Sequence, residues 1–206
     1  MKINIYEKIL PIITWLTITS PLWLSPFHPA IVAYFIIAFD VYFFYKSFKT
    51  AYQSVIAYKK IIHYQKINFL KRLKKRKDFK DIKHFIIIPN YKEKVEKLIS
   101  TIKNITLSQM DSKNFYLVLA FEKREKEAKK KDKKIRNIFQ KKFKKIISTY
   151  HPLVEGEEPG KASNQTYAAK KINEFVKKNN WLDKNILVTI CDADSLLPKN
   201  YFSYLT

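Results

Sequence analysis

Two apolar segments near the amino terminus constrain this chain more than any other feature of its sequence. Residues 9–24 contain no charged side chain, and residues 29–45 contain one, Asp40. Each segment has 16 or 17 residues, which is close to the lower limit for a helix that crosses a bilayer. Only four residues separate them, so the sequence predicts two transmembrane helices that form a hairpin within residues 1–45.

Two other interpretations of residues 9–24 stay open. A signal peptide would be followed by a cleavage site between small residues, but a second apolar segment follows here instead. Pro11 and Pro21 would also allow the segment to lie along the membrane surface, because proline interrupts helical hydrogen bonding. The spanning hairpin is the simplest interpretation.

The segment that follows the predicted hairpin is strongly basic. Residues 46–83 contain 13 Lys or Arg residues and two acidic ones, Asp78 and Asp81. Lys and Arg are enriched on the cytoplasmic side of membrane proteins, so we expect an integral membrane protein whose remaining chain lies in the cytoplasm. We interpret residues 46–83 as a basic juxtamembrane linker, in which the run 71–77 carries enough charge to contact anionic membrane lipid.

Beyond residue 83 the pattern changes to short apolar runs that alternate with amphipathic segments. The runs lack the polar alternation of a sheet with one solvated face. An alternation of strands and helices is typical of a parallel sheet covered by helices, which binds ligands beyond the carboxyl ends of its strands. The sequence therefore predicts an α/β domain over residues 84–206, with strands at 84–88, 115–121, about 146–154 and 186–191, and helices at 92–106, 125–147 and 161–178.

The formal net charge of +22 is compatible with a nucleic acid or an anionic membrane as partner. Nearly all the basic residues are lysines, and arginine occurs only at positions 72, 76, 124 and 136. Because specific recognition of bases and phosphates favours the arginine fork, we interpret most of this charge as solvated surface. No specific nucleic-acid partner is expected.

The pair Asp192 and Asp194 follows the last predicted strand directly. Two carboxylates separated by one residue can turn toward one hard cation, and Mg²⁺ and Mn²⁺ prefer such oxygen ligands and share them with substrate phosphates. Carboxylates are also common in ordinary loops, so the pair by itself leaves both interpretations open.

Residues 156–163 (GEEPGKAS) partly match a phosphate-binding P-loop. That motif requires four residues between its glycines and a hydroxyl after the lysine, whereas here three residues intervene and Ala162 follows Lys161. We interpret the block as the start of a helix, with Lys161 still able to lie near a diphosphate. An NTPase that uses Gly160 and Lys161 is a disfavoured alternative.

Four blocks occur in a characteristic order along residues 84–206. The turn I-I-I-P-N-Y-K-E ends at Glu93, the second strand ends in Glu122, and a K-A-S-N block and a D-A-D-S block follow. In this order they resemble family-2 glycosyltransferases of the GT-A fold, and the two apolar segments are similar to the anchor of the membrane-integrated branch. The resemblance implies a partial Rossmann-like sheet, a nucleotide-sugar donor, a divalent metal (Mn²⁺ or Mg²⁺) and inversion at the anomeric carbon.

The resemblance also implies roles for particular residues. Glu93 would lie near the nucleoside, and Glu122 would recognise the base or ribose. Lys161 and Asn164 would lie beside the donor pocket. Asp192 and Asp194 would hold the metal and the diphosphate. The acceptor is not identified by any of these motifs.

Three departures from the family pattern define what stays open. Lys92 stands where the family usually has Asn, and Glu122 stands where it has Asp. The family's catalytic base lies well downstream of the two aspartates, so we expect it beyond Thr206 and interpret residues 84–206 as a truncated, amino-terminal, nucleotide-sugar-binding part of the domain. The alternative function is a membrane-anchored basic protein that binds nucleic acid or anionic lipid through residues 46–83 and 122–145.

Overall fold

The computed structural model describes residues 5–76 and 78–206, which divide into two compact units, the first ending at Ile67 and the second beginning at Asn68. The first unit consists of helix α1 (Ile5–Leu24) and helix α2 (Pro29–Gln65). Among the described residues, α2 is the only helix that is long and apolar enough to cross a membrane. The structure therefore has one candidate membrane span, and the second span of the predicted hairpin stays a prediction.

Helix α2 continues through residue 45, where the linker was predicted to begin. After its first residue it contains neither proline nor glycine, the two residues that most readily end a helix. Residues 46–65 of the predicted basic juxtamembrane linker are therefore helical. The short helix α3 (Phe69–Leu73) follows, and the Asn68 side chain caps it by accepting a hydrogen bond from the Lys71 N–H group.

The second unit contains a four-stranded sheet in which every pairing is parallel, as predicted. Its strands are β1 (Lys83–Asn90), β2 (Phe115–Glu122), β3 (Lys145–His151) and β4 (Ile186–Ile190). Their order is β3-β2-β1-β4, so β1 and β2 are central and β3 and β4 form the two edges. The α/β class predicted from the sequence is confirmed.

Helices cover both faces of the central strands, which is why β1 and β2 are apolar throughout. Ile86 and Leu117 face α4 (Val95–Thr106) and α5 (Ala128–Phe139) on one side, together with the short carboxyl-terminal helix α7 (Tyr201–Leu205). On the other side, Phe85 and Val118 pack against α6 (Lys161–Lys178). Each central strand thus contributes side chains alternately to two separate apolar cores.

The prediction was wrong over residues 140–147, which were assigned to a single helix. Helix α5 ends at Phe139, and residues from Lys145 onward form β3. No glycine or proline marks this boundary, and the lysine-rich sequence continues across it, so the end of the helix was missed. The strand predicted at about 146–154 is observed at Lys145–His151. Strand β4 also differs from expectation, because Val188 and Ile190 are about half exposed. They lie on the same face of the sheet as Phe85 and Ile87, but at its edge.

Candidate functional site

A cleft of about 450 Å³ lies beyond the carboxyl ends of β1, β2 and β4. Strand numbering changes direction between β1 and β4, and ligands in open parallel sheets bind at such a point. The structure brings all six residues predicted for the site into the wall of this one cleft: Glu93, Glu122, Lys161, Asn164, Asp192 and Asp194. They come from four separate parts of the sequence.

The two aspartates lie on the same side of the chain because the residue between them faces the core. Ala193 is buried, and its carbonyl accepts a hydrogen bond of 2.8 Å from the Thr101 hydroxyl. Asp192 and Asp194 are exposed and line the cleft. The alternation begun in β4 therefore directs both carboxylates to one place, as the spacing predicted.

Lys161 forms an ion pair with Asp192 across the cleft. Lys161 is the first residue of α6, as predicted, and its ammonium group donates a hydrogen bond to Asp192 Oδ1. Both side chains are about half exposed, so solvent screens the pair and its contribution to stability is small. The Lys161 ammonium group can therefore leave Asp192 and contact an anionic ligand with little loss of free energy.

The carboxylates in the cleft fit one particular kind of metal site. Within residues 5–76 and 78–206, no group of three or more His, Cys, Asp or Glu side chains is arranged to hold a metal ion. A closed site of the zinc type needs such a group, whereas Mg²⁺ and Mn²⁺ are commonly held by one or two carboxylates together with the phosphates of a substrate. Asp192 and Asp194 are the two neighbouring carboxylates of the cleft wall that could contribute to a site of the second kind.

Glu122 ends β2 and is buried in the wall of the cleft beside Arg124. Arg124 Nε donates a hydrogen bond to Glu122 Oε2, which raises the pKa of the arginine above its ordinary value. The guanidinium group also lies over the Tyr91 ring, 4.2 Å from its centroid. The three side chains form a charged and aromatic wall at the β1 and β2 end of the cleft.

The turn that carries Glu93 has an unusual backbone conformation. Lys92 has φ 59°, in the left-handed region that asparagine and glycine tolerate best. Glu93 is partly exposed and lies 3.5 Å from the Lys97 ammonium group, one helical turn away. The left-handed conformation gives a physical reason for an asparagine at position 92, where this chain has lysine.

Two buried asparagines form part of the cleft wall. Asn164 lies in the first turn of α6 and Asn90 is the last residue of β1. Both side-chain amides donate to the carbonyl of Ala120, and neither Oδ1 atom has a hydrogen-bond partner. Buried polar atoms are rarely left without partners, so these two unpartnered oxygens set the wall of the cleft apart from the rest of the core.

Three polar or aromatic residues of the cleft wall were missed by sequence reasoning: Asn90, Tyr91 and Arg124. Each is within three residues of a predicted strand end, and that proximity was the available signal. Which of several polar residues after a strand faces the ligand depends on the turn geometry, which the sequence pattern did not reveal.

The chain matches no protein-family model, no curated protein and no solved structure. The interpretation of the cleft therefore depends on its own residues and their geometry.

Proposed function

We propose that this chain is the donor-binding part of a membrane-anchored glycosyltransferase, which transfers a sugar from a nucleotide-sugar donor with inversion at the anomeric carbon. The observation that carries the proposal is the convergence of six residues, predicted from four separate motifs, on one cleft. The parallel sheet brings residues that follow its strands to one edge, and the support for the proposal is the kind of residue found there: four carboxylates, a lysine and an asparagine in one cleft. The strand order gives further support, because β3-β2-β1-β4 is the order of the first four strands in doubly wound nucleotide-binding sheets.

In this proposal the cleft has a diphosphate end and a nucleoside end. Asp192 and Asp194 hold a divalent cation, Mn²⁺ or Mg²⁺, together with the donor diphosphate. When bound, such a cation neutralises negative charge on the leaving nucleoside diphosphate. Lys161 contacts the same phosphates after it leaves Asp192, and contributes a fixed positive charge.

At the other end of the cleft, Tyr91, Glu93, Glu122 and Arg124 contact the nucleoside. The Tyr91 ring offers a surface for stacking, and the carboxylate of Glu122 accepts hydrogen bonds from N–H or O–H groups of the base or ribose. An acceptor hydroxyl must lose its proton to a general base within hydrogen-bond reach. We assign that role to none of the residues described above.

We further propose that α2 anchors the protein, with α1 as a second span, and that the cleft lies in the cytoplasm. The basic flank of α2 supports this orientation, because positive charge accumulates on the cytoplasmic side. The proposed partners are therefore membrane lipid, the nucleotide-sugar donor and an acceptor whose identity is open.

The test is manganese-dependent binding of uridine and guanosine diphosphates to the full chain in detergent, measured by calorimetry. In the presence of Mn²⁺, Asp192→Asn and Asp194→Asn should each weaken binding at least about tenfold, because each removes a ligand of the cation. Without a cation role, removal of a negative charge would strengthen the binding of an anionic nucleotide. The two explanations thus predict opposite signs.

A matched control is Asp183→Asn, which removes an exposed aspartate at the other end of β4 and should leave the affinity unchanged. Chelation of Mn²⁺ should remove the advantage of the parent, so that the two cleft variants then bind the nucleotide at least as tightly as the parent. Equal nucleotide affinity in the parent and both cleft variants would contradict the proposal. Salt-sensitive binding of nucleic acid that ignores manganese would favour the basic binding protein instead.

A further inference from the structure

Lys131 is a buried lysine on a helix whose other lysines are mostly exposed. It lies in α5, and its side chain is only 9% exposed. Its ammonium group donates to the carboxylate of Glu125 and, at 2.5 Å, to the backbone carbonyl of Glu93. A buried ammonium group with two acceptors from different loops requires an explanation beyond solubility.

The two acceptors belong to the loops that carry the nucleoside end of the cleft. Glu93 lies in the loop between β1 and α4, two residues after Tyr91. Glu125 lies in the loop between β2 and α5, next to Arg124. Lys131 thus joins the loop that bears the aromatic ring to the loop that bears the guanidinium group stacked on it.

The first of these loops needs a contact of this kind to keep its shape. Lys92, the neighbour of Glu93, has a left-handed backbone conformation that is unfavourable for lysine. Unfavourable conformations persist where the surrounding structure holds them. The hydrogen bond from Lys131 to the Glu93 carbonyl fixes the Glu93–Lys94 peptide group, one residue beyond Lys92.

Stability alone does not account for the pair of Lys131 and Glu125. Burial of two charges carries a desolvation penalty, and apolar residues of similar volume are often equally or more stabilising in such positions. Here Glu125 Oε2 also lacks a hydrogen-bond partner, so the pair is not fully compensated. Its specific effect is the link between the two loops.

We propose that Lys131 is a positioning residue that sets the separation of the two nucleoside-binding loops, an inference that rests on the proposed function of the cleft. It does not touch the nucleotide itself. It acts through the Glu93 carbonyl and the Glu125 carboxylate, and so determines where Tyr91 and Arg124 meet. Misplacement of a binding group by about 1 Å is enough to impair a site.

The experiment uses the double variant Lys131→Met/Glu125→Leu of the full chain in detergent, which removes both charges and leaves neither unpaired. Its melting temperature should equal or exceed that of the parent. Its affinity for manganese–uridine diphosphate and manganese–guanosine diphosphate should fall about tenfold, and hydrogen exchange of residues 91–94 should become about tenfold faster. Lys92→Asn, added to this variant, should recover part of the affinity, because asparagine tolerates the left-handed conformation.

The control is Lys134→Met/Glu96→Leu, which removes an exposed ion pair between α5 and α4. It should change neither nucleotide affinity nor exchange at residues 91–94. If the parent binds nucleotide and the Lys131 double variant binds equally well, the positioning role is wrong. If the parent binds neither nucleotide, the proposed function fails, and unchanged exchange at residues 91–94 would then overturn the loop link separately.

Discussion

The side-chain amides of Asn90 and Asn164 donate to the same acceptor, the carbonyl oxygen of Ala120, at 3.4 and 2.8 Å. Asn90 is the last residue of β1, and Asn164 lies in the first turn of α6. The Ala120 carbonyl of β2 therefore links β1, β2 and α6 at the cleft wall. Because both asparagines are buried, water cannot readily replace either donor. This junction makes the cleft part of the folded core.

Substitution of these asparagines should have unequal effects on stability. Asn164→Ala removes the shorter hydrogen bond to a buried carbonyl and should lower the free energy of unfolding by about 1–3 kcal/mol. Asn90→Ala removes a longer and weaker hydrogen bond, and should lower the free energy of unfolding by less. Urea unfolding followed by circular dichroism measures both. Asn173→Ala, at an exposed position of α6, is the control, and an equal loss in all three variants would contradict the prediction.

Stability should decrease in mild acid because of His84. Burial lowers the pKa of His84 from 6.5 to about 4, so the unfolded chain binds a proton that the folded protein resists. The contribution of neutral His84 to the free energy of unfolding is complete above pH 6.5 and is lost as the pH falls toward 4. It amounts to about 3 kcal/mol, at 1.36 kcal/mol for each unit of pKa difference.

The measurement is the free energy of unfolding between pH 4 and pH 7 for the parent and His84→Leu. The variant should lose most of the pH dependence in this range. His63→Leu, which removes an exposed imidazole in the other unit, should retain it. A parent slope that His84→Leu leaves unchanged would assign the acid sensitivity to other groups.

Lys92→Asn should stabilise the protein. At φ 59°, lysine is in a conformation that costs roughly 1 kcal/mol or more, and asparagine reduces this cost. An increase of about 0.5–1 kcal/mol in the free energy of unfolding is expected. Lys92→Ala removes the same charge without a preference for the left-handed region, so a similar gain in that variant would show that charge is the cause.

Lys161→Ala should discriminate between parts of a bound nucleotide. If Lys161 exchanges Asp192 for the diphosphate, its loss should weaken uridine diphosphate about tenfold and leave uridine unaffected, because only the former carries phosphate charge. Parallel titrations with both ligands make the comparison. Lys170→Ala, an exposed lysine on the same helix, should change neither affinity, and an equal loss for uridine would exclude a phosphate contact.

Membrane insertion distinguishes one span from two. A lysine in the middle of a spanning helix costs about 2.5–3.5 kcal/mol of insertion free energy. Ile36→Lys, within α2, should therefore release the protein from membranes in alkaline extraction. If α1 also spans, the amino terminus of the parent stays on the cytoplasmic side, and Ile12→Lys should carry it across the bilayer in a glycosylation-mapping assay. An amino terminus that is already translocated in the parent, and that Ile12→Lys leaves there, would argue for α2 alone.

The strands and α6 were predictable because their apolar residues have no competing interpretation. Runs such as Phe85–Ile88 contain no polar residue and end at proline, and α6 begins just after Gly160 and follows a regular apolar spacing. The boundary between α5 and β3 was missed because lysines continue beyond the end of α5 up to Lys145, with no glycine or proline between the two elements. Sequence periodicity identifies an element, but it does not mark an end that lacks a stop signal.

The cleft was partly predictable for a related reason. Glu122, Asp192 and Asp194 directly follow buried strands, and the carboxyl ends of parallel strands lie together. Lys131 could not be identified in this way, because it lies among three consecutive lysines and only the three-dimensional packing makes it different. Arg124 and Tyr91 likewise became part of the site only through their mutual contact.

The sheet order has a consequence for how the protein is made. Strand β1 lies between β2 and β4, and these two partners lie at very different distances along the chain. His84 pairs with Phe115 on one side, and Lys83 pairs with Ile186 on the other. During synthesis the second partner leaves the ribosome about 100 residues after β1, which takes roughly 5–20 s at ordinary elongation rates. Throughout that interval one backbone edge of an uncharged run of isoleucines stays unpaired, so newly made chains have a defined period in which a chaperone or a neighbouring nascent chain can bind there.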